Sequence, residues 1–274
     1  MASLRFAVLV MLAVVGVTAQ TQRYNFKNYG REQGLTNMAV MAMLQDRTGF
    51  IWVATQNGLF WYDGKSFREF ESMQESPSRD IEALHESSDG TLWVGTRSGL
   101  VRRKGSHFEK IDLGAVEIIG AGSLASDQAN RLYVSTTQGL VVLETQEGGS
   151  HRTRWLSQRP AHGVGLDGRG RVWFGCETSL CRIDADQVIN LDSQYKLPQE
   201  RWDSIITDSE GNLWMRSARR LIELVNKTDQ AIARDKGLPT AGFPAGMLQR
   251  SPAGGIMVPT DLGLAFPRKI IFDW

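Results

Sequence analysis

Short apolar runs recur along this chain, each set between two polar turn strings. The clearest are Ile51, Trp52, Val53, Ala54 and Leu92, Trp93, Val94. Neither alternates strictly between apolar and polar residues, as expected of a strand buried on both faces. With the central aromatic as mark, the series is Trp52, Trp93, Tyr133, Trp173, Trp214 and Met257, at intervals of 41, 40, 40, 41 and 43 residues. Six residues past each mark stand Gly58, Gly99, Gly139, Ser179, Arg220 and Gly263. Upstream, Met43, Leu84, Leu124, Val164, Ile205 and Leu248 hold one phase and mark a preceding strand. Downstream, Phe67 and Phe108 begin an outer strand. A shared period with shared internal offsets is the signature of a repeat architecture.

The turn strings follow from backbone chemistry. Asp46, Asp127, Asp167 and Asp208 each open a four-residue turn closed by Gly49, Asn130, Gly170 or Gly211. Aspartate caps its own backbone at the first turn position, and Gly or Asn accepts positive φ at the last. After the apolar run, Thr-x-x-Gly-Leu at Thr55 and Thr96 reads as a hairpin. Each unit is therefore four short antiparallel strands with two apolar faces, and radial stacking on copies of itself covers both. An all-β propeller of six blades is predicted, and an incomplete seven-bladed ring is the alternative. Residues 24–29, with Tyr24, Phe26 and Tyr29, look like the outer strand at Phe67 and Phe70. The last unit has little room for an outer strand of its own, so this N-terminal strand is expected to complete the last blade. Almost no helix is predicted.

Three segments follow. Residues 1–19 read as a signal peptide: Arg5 is the positive start, residues 6–17 are apolar, and Val17, Thr18, Ala19 offer a cleavage site. Twelve apolar residues make roughly 18 Å of helix, short of a bilayer core. Residues 20–269 form the propeller, and 270–274 an apolar tail. The mature chain is expected to be secreted or periplasmic, with no membrane span. With 31 basic and 30 acidic residues the net charge is +1, which gives no basis for a nucleic-acid partner.

The string Gly34, Leu35, Asn37, Val40, Asp46, Gly49, Ile51, Trp52, Val53, Thr55, Gly58, Leu59, Tyr62, Asp63, Gly64 resembles the two-component regulator propeller repeat. Units one and two carry it closely, and later units loosely, with Tyr133, Ser179, Arg220 and Met257 at signature positions. The resemblance implies the periplasmic sensor region of a hybrid histidine kinase or diguanylate cyclase. Such proteins join their propellers to an immunoglobulin-like domain, a membrane helix and an output domain. No kinase or cyclase string stands in these 274 residues. The expected role is thus a ligand-sensing module lacking its own output domain, with neighbouring propeller or signalling domains as partners if the protein is longer.

Catalytic chemistry has little support. His85, His107, His151 and His162 fall on different strand types, without the spacing of a metal site. The repeated aspartates occupy one turn in successive blades, and a turn role accounts for them. No catalytic residue, metal site or cofactor is expected. A propeller lyase or hydrolase acting on a polysaccharide, and a protein-interaction scaffold, are the alternatives. Cys176 and Cys181 flank one hairpin, so they are expected across from each other, close enough for a possible disulfide.

Recognition belongs on the loops of one propeller face, because loops vary while the scaffold repeats. The candidates there are Asn37, Asn57, Arg79, Asp80, Arg97, Gln138, Arg201, Trp202 and Arg219. Trp202 replaces Val40, Ile81, Ala121, Ala161 and Ala245 at the same place in other units. It is a candidate stacking platform for a sugar ring, or else fills a gap between blades. Amides and mixed charges suit a small polar ligand such as an oligosaccharide.

Overall fold

In the computed structural model, residues 27–70, 78–146, 149–225, 232–238, 247–251, 254–260 and 263–266 are described. The segment expected to be a signal peptide (1–19), residues 24–26 of the expected N-terminal strand, and the expected tail at 270–274 lie outside them. The chain forms six antiparallel sheets arranged as a β-propeller. Sheet 1 holds β1 (Val40–Gln45), β2 (Ile51–Thr55), β3 (Gly58–Tyr62) and β4 (Phe67–Glu69). Sheet 2 holds β5 (Ile81–Glu86), β6 (Leu92–Thr96), β7 (Gly99–Lys104) and β8 (His107–Ile111). Sheet 3 holds β9 (Leu124–Ser126), β10 (Leu132–Thr136), β11 (Gly139–Thr145) and β12 (His151–Ser157). Sheet 4 holds β13 (Ala161–Leu166), β14 (Val172–Cys176), β15 (Ser179–Asp184) and β16 (Gln187–Asn190). Sheet 5 holds β17 (Ser204–Thr207), β18 (Leu213–Arg216), β19 (Leu221–Val225) and β20 (Ile232–Asp235). Sheet 6 shows three strands among the described residues: β21 (Gln249–Arg250), β22 (Ile256–Thr260) and β23 (Gly263–Ala265). One short helix (Asp192–Tyr195) follows β16, where no helix was expected.

The aspartate turns do more than cap. Asp46 Oδ1 accepts from the backbone N–H of Thr48 and Phe50, at 2.9 and 3.1 Å, while Oδ2 takes the Trp52 indole N–H at 2.8 Å. The same clasp recurs from Asp167 to Trp173 (2.9 Å) and from Asp208 to Trp214 (2.8 Å), and Asp127 meets the Tyr133 hydroxyl at 3.2 Å. In sheet 2 Ser87 stands in for the aspartate and accepts from Trp93 at 2.8 Å. One side chain therefore ties the turn to the middle of the second strand. The hydrogen bonds hold the Asp46 and Asp167 carboxyls below the usual range, against the opposing pull of burial, which is the largest single influence on each.

A second clasp closes the hairpin between the middle strands. Thr55, Thr96 and Thr136 donate their hydroxyls to the carbonyls of Gly58, Gly99 and Gly139, at 2.8, 3.0 and 2.9 Å. Gly139 has φ 153°, and a Cβ there would lie 2.0 Å from the Ser157 carbonyl oxygen. No other residue fits that approach.

First strands of successive sheets touch one another, so they line the axis. Between sheets lie five apolar cores. Leu59 with Leu84 marks the core between sheets 1 and 2, and Leu100 with Leu124 the next. Leu140 with Val164, Leu180 with Ile205, and Leu221 with Leu248 mark the remaining three. A sixth cluster, Leu35, Val53 and Phe60, lies on the other face of sheet 1.

Two predictions follow from this packing. Asp167→Ala removes the acceptor for Trp173 and two turn amides, and should cost about 2–3 kcal/mol in urea unfolding. Asp167→Asn keeps an acceptor but loses the charge, and should fall between wild type and alanine. His85 binds Ser126 Oγ at 2.8 Å between sheets 2 and 3, and burial pushes its imidazole down to about 4. An unfolded histidine titrates near 6.5, so protons favour the unfolded chain once pH drops below that. Stability is then whole above pH 6.5 and declines toward pH 4, by up to about 3 kcal/mol from this group. Urea midpoints across that range should flatten in His85→Gln.

Candidate functional site

The loop face gathers its polar residues into separate clusters. Between sheets 1 and 2, the Arg79 guanidinium donates to the Asn57 side-chain oxygen at 3.0 Å and pairs with Glu69. Next to it, Arg97 bridges Asp80 at 2.9 Å and Glu82 at 2.8 Å. Glu82 is buried and also accepts the Gly120 N–H at 3.1 Å. It stands where the register of β5 shifts between Ile81 and Ala83, a bulge that re-aims one side chain of an innermost strand.

A second cluster lies where sheets 4 and 5 meet. His162 occupies the corresponding bulge, between Ala161 and Val164. Burial, aided by the Arg201 charge, pushes His162 down to about 4, so it is neutral at pH 7. Arg201 binds Asp203 at 2.6 Å. Burial raises the Asp203 carboxyl above the usual range, against the pull of Arg201 and Arg216.

The third feature is a pocket of about 540 Å3 lined by Leu113, Thr137, Gln138, Trp155, Gln158 and Pro160. It lies beside sheet 3, where the hairpin between β10 and β11 meets the connections on either side. Trp155 is 37% exposed and lines the pocket beside three polar side chains. Gln138 donates to the Ala115 carbonyl at 2.5 Å, which fixes its amide at the pocket wall.

The expected residues are thus spread around the face. Asn57, Arg79, Asp80 and Arg97 come together, whereas Gln138 lines the pocket and Arg201 joins His162 and Asp203. Asn37 accepts from the Ala39 N–H at 2.9 Å and serves a local turn, and Arg219 is exposed. Trp202 requires a correction. It is fully buried, packed with Trp173, Leu180 and Met215 between sheets 4 and 5, and so fills the gap between blades instead of offering a platform. Trp155 is the partly exposed tryptophan at the pocket instead.

Cys176 and Cys181 are joined by a disulfide, with Cα atoms 5.8 Å apart. They are not directly opposite as expected: Cys176 faces Ser179, and Cys181 faces Phe174. The bond runs diagonally across the hairpin and replaces the threonine clasp of the first three sheets.

Glu82, His162 and Asp203 were missed in the sequence. They share the place eleven residues before the mark, where the units read Met41, Glu82, Gly122, His162, Asp203 and Gly246. Wide variation at one fixed repeat position was the available signal.

The fold and the clasped repeat define a β-propeller. The two component regulator propeller model matches residues 34–57 and 75–98, the first two units up to the tip of the middle hairpin. Those two units therefore match the two-component regulator propeller repeat. Histidine kinase P4 of Formosa agariphila is 29% identical over 68 residues, 25% of this chain and 5% of that protein. The extracellular domain assigned to a hybrid two component system of B. thetaiotaomicron superposes with TM-score 0.68 at 17% identity, covering 88% of this chain and 33% of that one. Virginiamycin B lyase from Staphylococcus aureus superposes equally well, TM-score 0.68 at 13% identity, covering 86% and 83%. This chain therefore spans a small part of the kinase and a third of the extracellular domain. Among the described residues no helix is long and apolar enough to cross a membrane.

The Arg97 cluster yields a test. Arg97→Ala strands the Glu82 carboxylate and should cost about 2 kcal/mol, less than a fully buried pair because Arg97 is partly solvated. Adding Glu82→Gln should restore most of that loss in a double-mutant cycle read by urea unfolding.

Proposed function

We propose that this propeller is the ligand-sensing part of an extracytoplasmic two-component-type signalling protein, and that it binds a small polar ligand such as an oligosaccharide on its loop face. The observation that carries the reading is the Trp155 pocket. An exposed indole face stacks on the apolar face of a sugar ring, and Gln138, Gln158 and Thr137 offer donors and acceptors to its hydroxyls. The disulfide supports an oxidising compartment. Signalling then requires that ligand bind two arrangements of the propeller and its neighbours with different affinity.

A second reading has one observation in its favour. A neutral His162 beside Arg201 and Asp203 is a base next to a cation, the equipment of a lyase acting on an acidic sugar. Turnover of polysaccharide by the purified protein, lost in His162→Ala, would establish it over sensing.

The sensing reading predicts saturable binding to at least one member of a panel of neutral and acidic oligosaccharides, followed by tryptophan fluorescence and calorimetry. Trp155→Ala should weaken that binding tenfold or more with an unchanged melting temperature. Trp202→Ala should instead destabilise the fold by about 3–5 kcal/mol. No binding across the panel, or equal affinity in Trp155→Ala, defeats the assignment.

A further inference from the structure

Sheet 1 carries, at the counterpart of the Trp155 pocket, a site already filled by its own side chains. Asn57 and Gln138 each stand five residues past the mark, at the tip of the hairpin between the second and third strands. Glu69 pairs with Phe60 on the outer ladder, and Trp155 pairs with Val141, which like Phe60 lies eight residues past its mark. Arg79 and Arg159 each stand fourteen residues before the next mark, on the connection to the following sheet. The two sites correspond residue for residue: Asn57, Glu69 and Arg79 in sheet 1, Gln138, Trp155 and Arg159 in sheet 3. One member has changed its chemistry, because a carboxylate has become an indole.

In sheet 1 the arginine joins the other two. Its Nε donates to the Asn57 side-chain oxygen at 3.0 Å, and its guanidinium pairs with the Glu69 carboxylate. In sheet 3 the outer strand offers Arg159 no carboxylate at this place. Arg159 reaches instead to Glu177, at the hairpin tip of sheet 4, at 3.8 Å and with 72% of its side chain exposed. A pair so long and so solvated holds the guanidinium weakly. Arg159 lies between Gln158 and Pro160, both of which line the pocket. The Gln138 amide is set to receive it. A backbone carbonyl only accepts, so the group that Gln138 turns to Ala115 is its NH2, and its oxygen is left for another donor.

We propose that the pocket takes an acidic sugar, a uronate whose carboxylate stands where that of Glu69 stands in sheet 1, and that Arg159 is the residue that selects it. The proposal rests on the Trp155 pocket being the ligand site. The uronate ring lies on Trp155. Arg159 turns from Glu177, donates to the Gln138 oxygen and pairs with the ligand carboxylate, as Arg79 does with Asn57 and Glu69. Leaving Glu177 costs little, whereas a neutral sugar offers the guanidinium no charge in exchange. Selection of the acid thus comes from a side chain at the rim of the pocket.

Trimers of galacturonate, glucuronate, mannuronate and guluronate test this by calorimetry, each against its methyl ester, which removes the charge and keeps the ring. At least one acid should bind tenfold or more tighter than its ester. Arg159→Gln should bring that acid down to the level of the ester, and Arg159→Lys should recover only part, because an ammonium lacks the planar fork. Trp155→Ala should weaken acid and ester alike. A second experiment uses no ligand. Trp155→Glu restores the sheet 1 carboxylate, so in that background Arg159→Gln should lower the melting temperature by about 1–3 °C, an effect absent from the parent chain. Without that coupling the two sites are not equivalent, and the proposal falls. An acid preference that survives Arg159→Gln and disappears in Arg201→Gln belongs to the cluster at sheets 4 and 5, which overturns it as well. Esters that bind as tightly as acids, or binding by neutral oligosaccharides alone, overturn it but leave the sensing reading standing. No binding by any sugar removes both.

Discussion

The hydrogen bond from the central indole to the turn aspartate is the interaction on which the remaining architecture depends. One carboxylate oxygen holds two turn amides and the other holds the indole N–H, as at Asp167 and Trp173. This couples the tightest part of each sheet to its largest side chain. The ring is then fixed at the height where neighbouring sheets interdigitate. A buried indole N–H without a partner would cost more than an ordinary hydrogen bond contributes, so turn and strand are set together. Where the aspartate becomes Ser87 the geometry survives, because a hydroxyl is acceptor enough for the ring.

From that clasp the burial series follows. Once the second strand is held, its hairpin places a leucine at the same height in every sheet, and the first strand of the next sheet answers with a branched side chain. The cores therefore repeat in kind and in position. The innermost strands escape the rule at their bulges, where one residue leaves the ladder and turns elsewhere. Glu82 and His162 sit at such bulges, which is how charged and titratable groups come to lie close to the axis of an otherwise apolar structure.

The repeat, its strand order and its turn chemistry were legible in the sequence, since each depends on residues within one unit. The sheets fall where the marks put them, from Trp52 to Met257. Binding residues were legible only where position alone decides, as for Gln138 on its hairpin. Trp202 stood between two readings because a rare aromatic at a small-residue position looks the same in sequence whether it faces solvent or a neighbour. Trp155 passed unnoticed because its exposure depends on the fall of the connections around it. The cysteine pair lies diagonally because a hairpin whose closing pair is Cys176 and Ser179 puts Cys181 two residues further along.

What the sequence determined alone was local and periodic: strand, turn, clasp and the apolar phase of each face. Those are set by side chains a few residues apart, and the period of about 41 residues repeats them. Tertiary structure decided which faces met. It buried Trp202, opened Trp155, made His162 neutral and left Met43 and Leu264 uncovered. Each of these depends on distances between sheets, and no property of a single repeat contains that information.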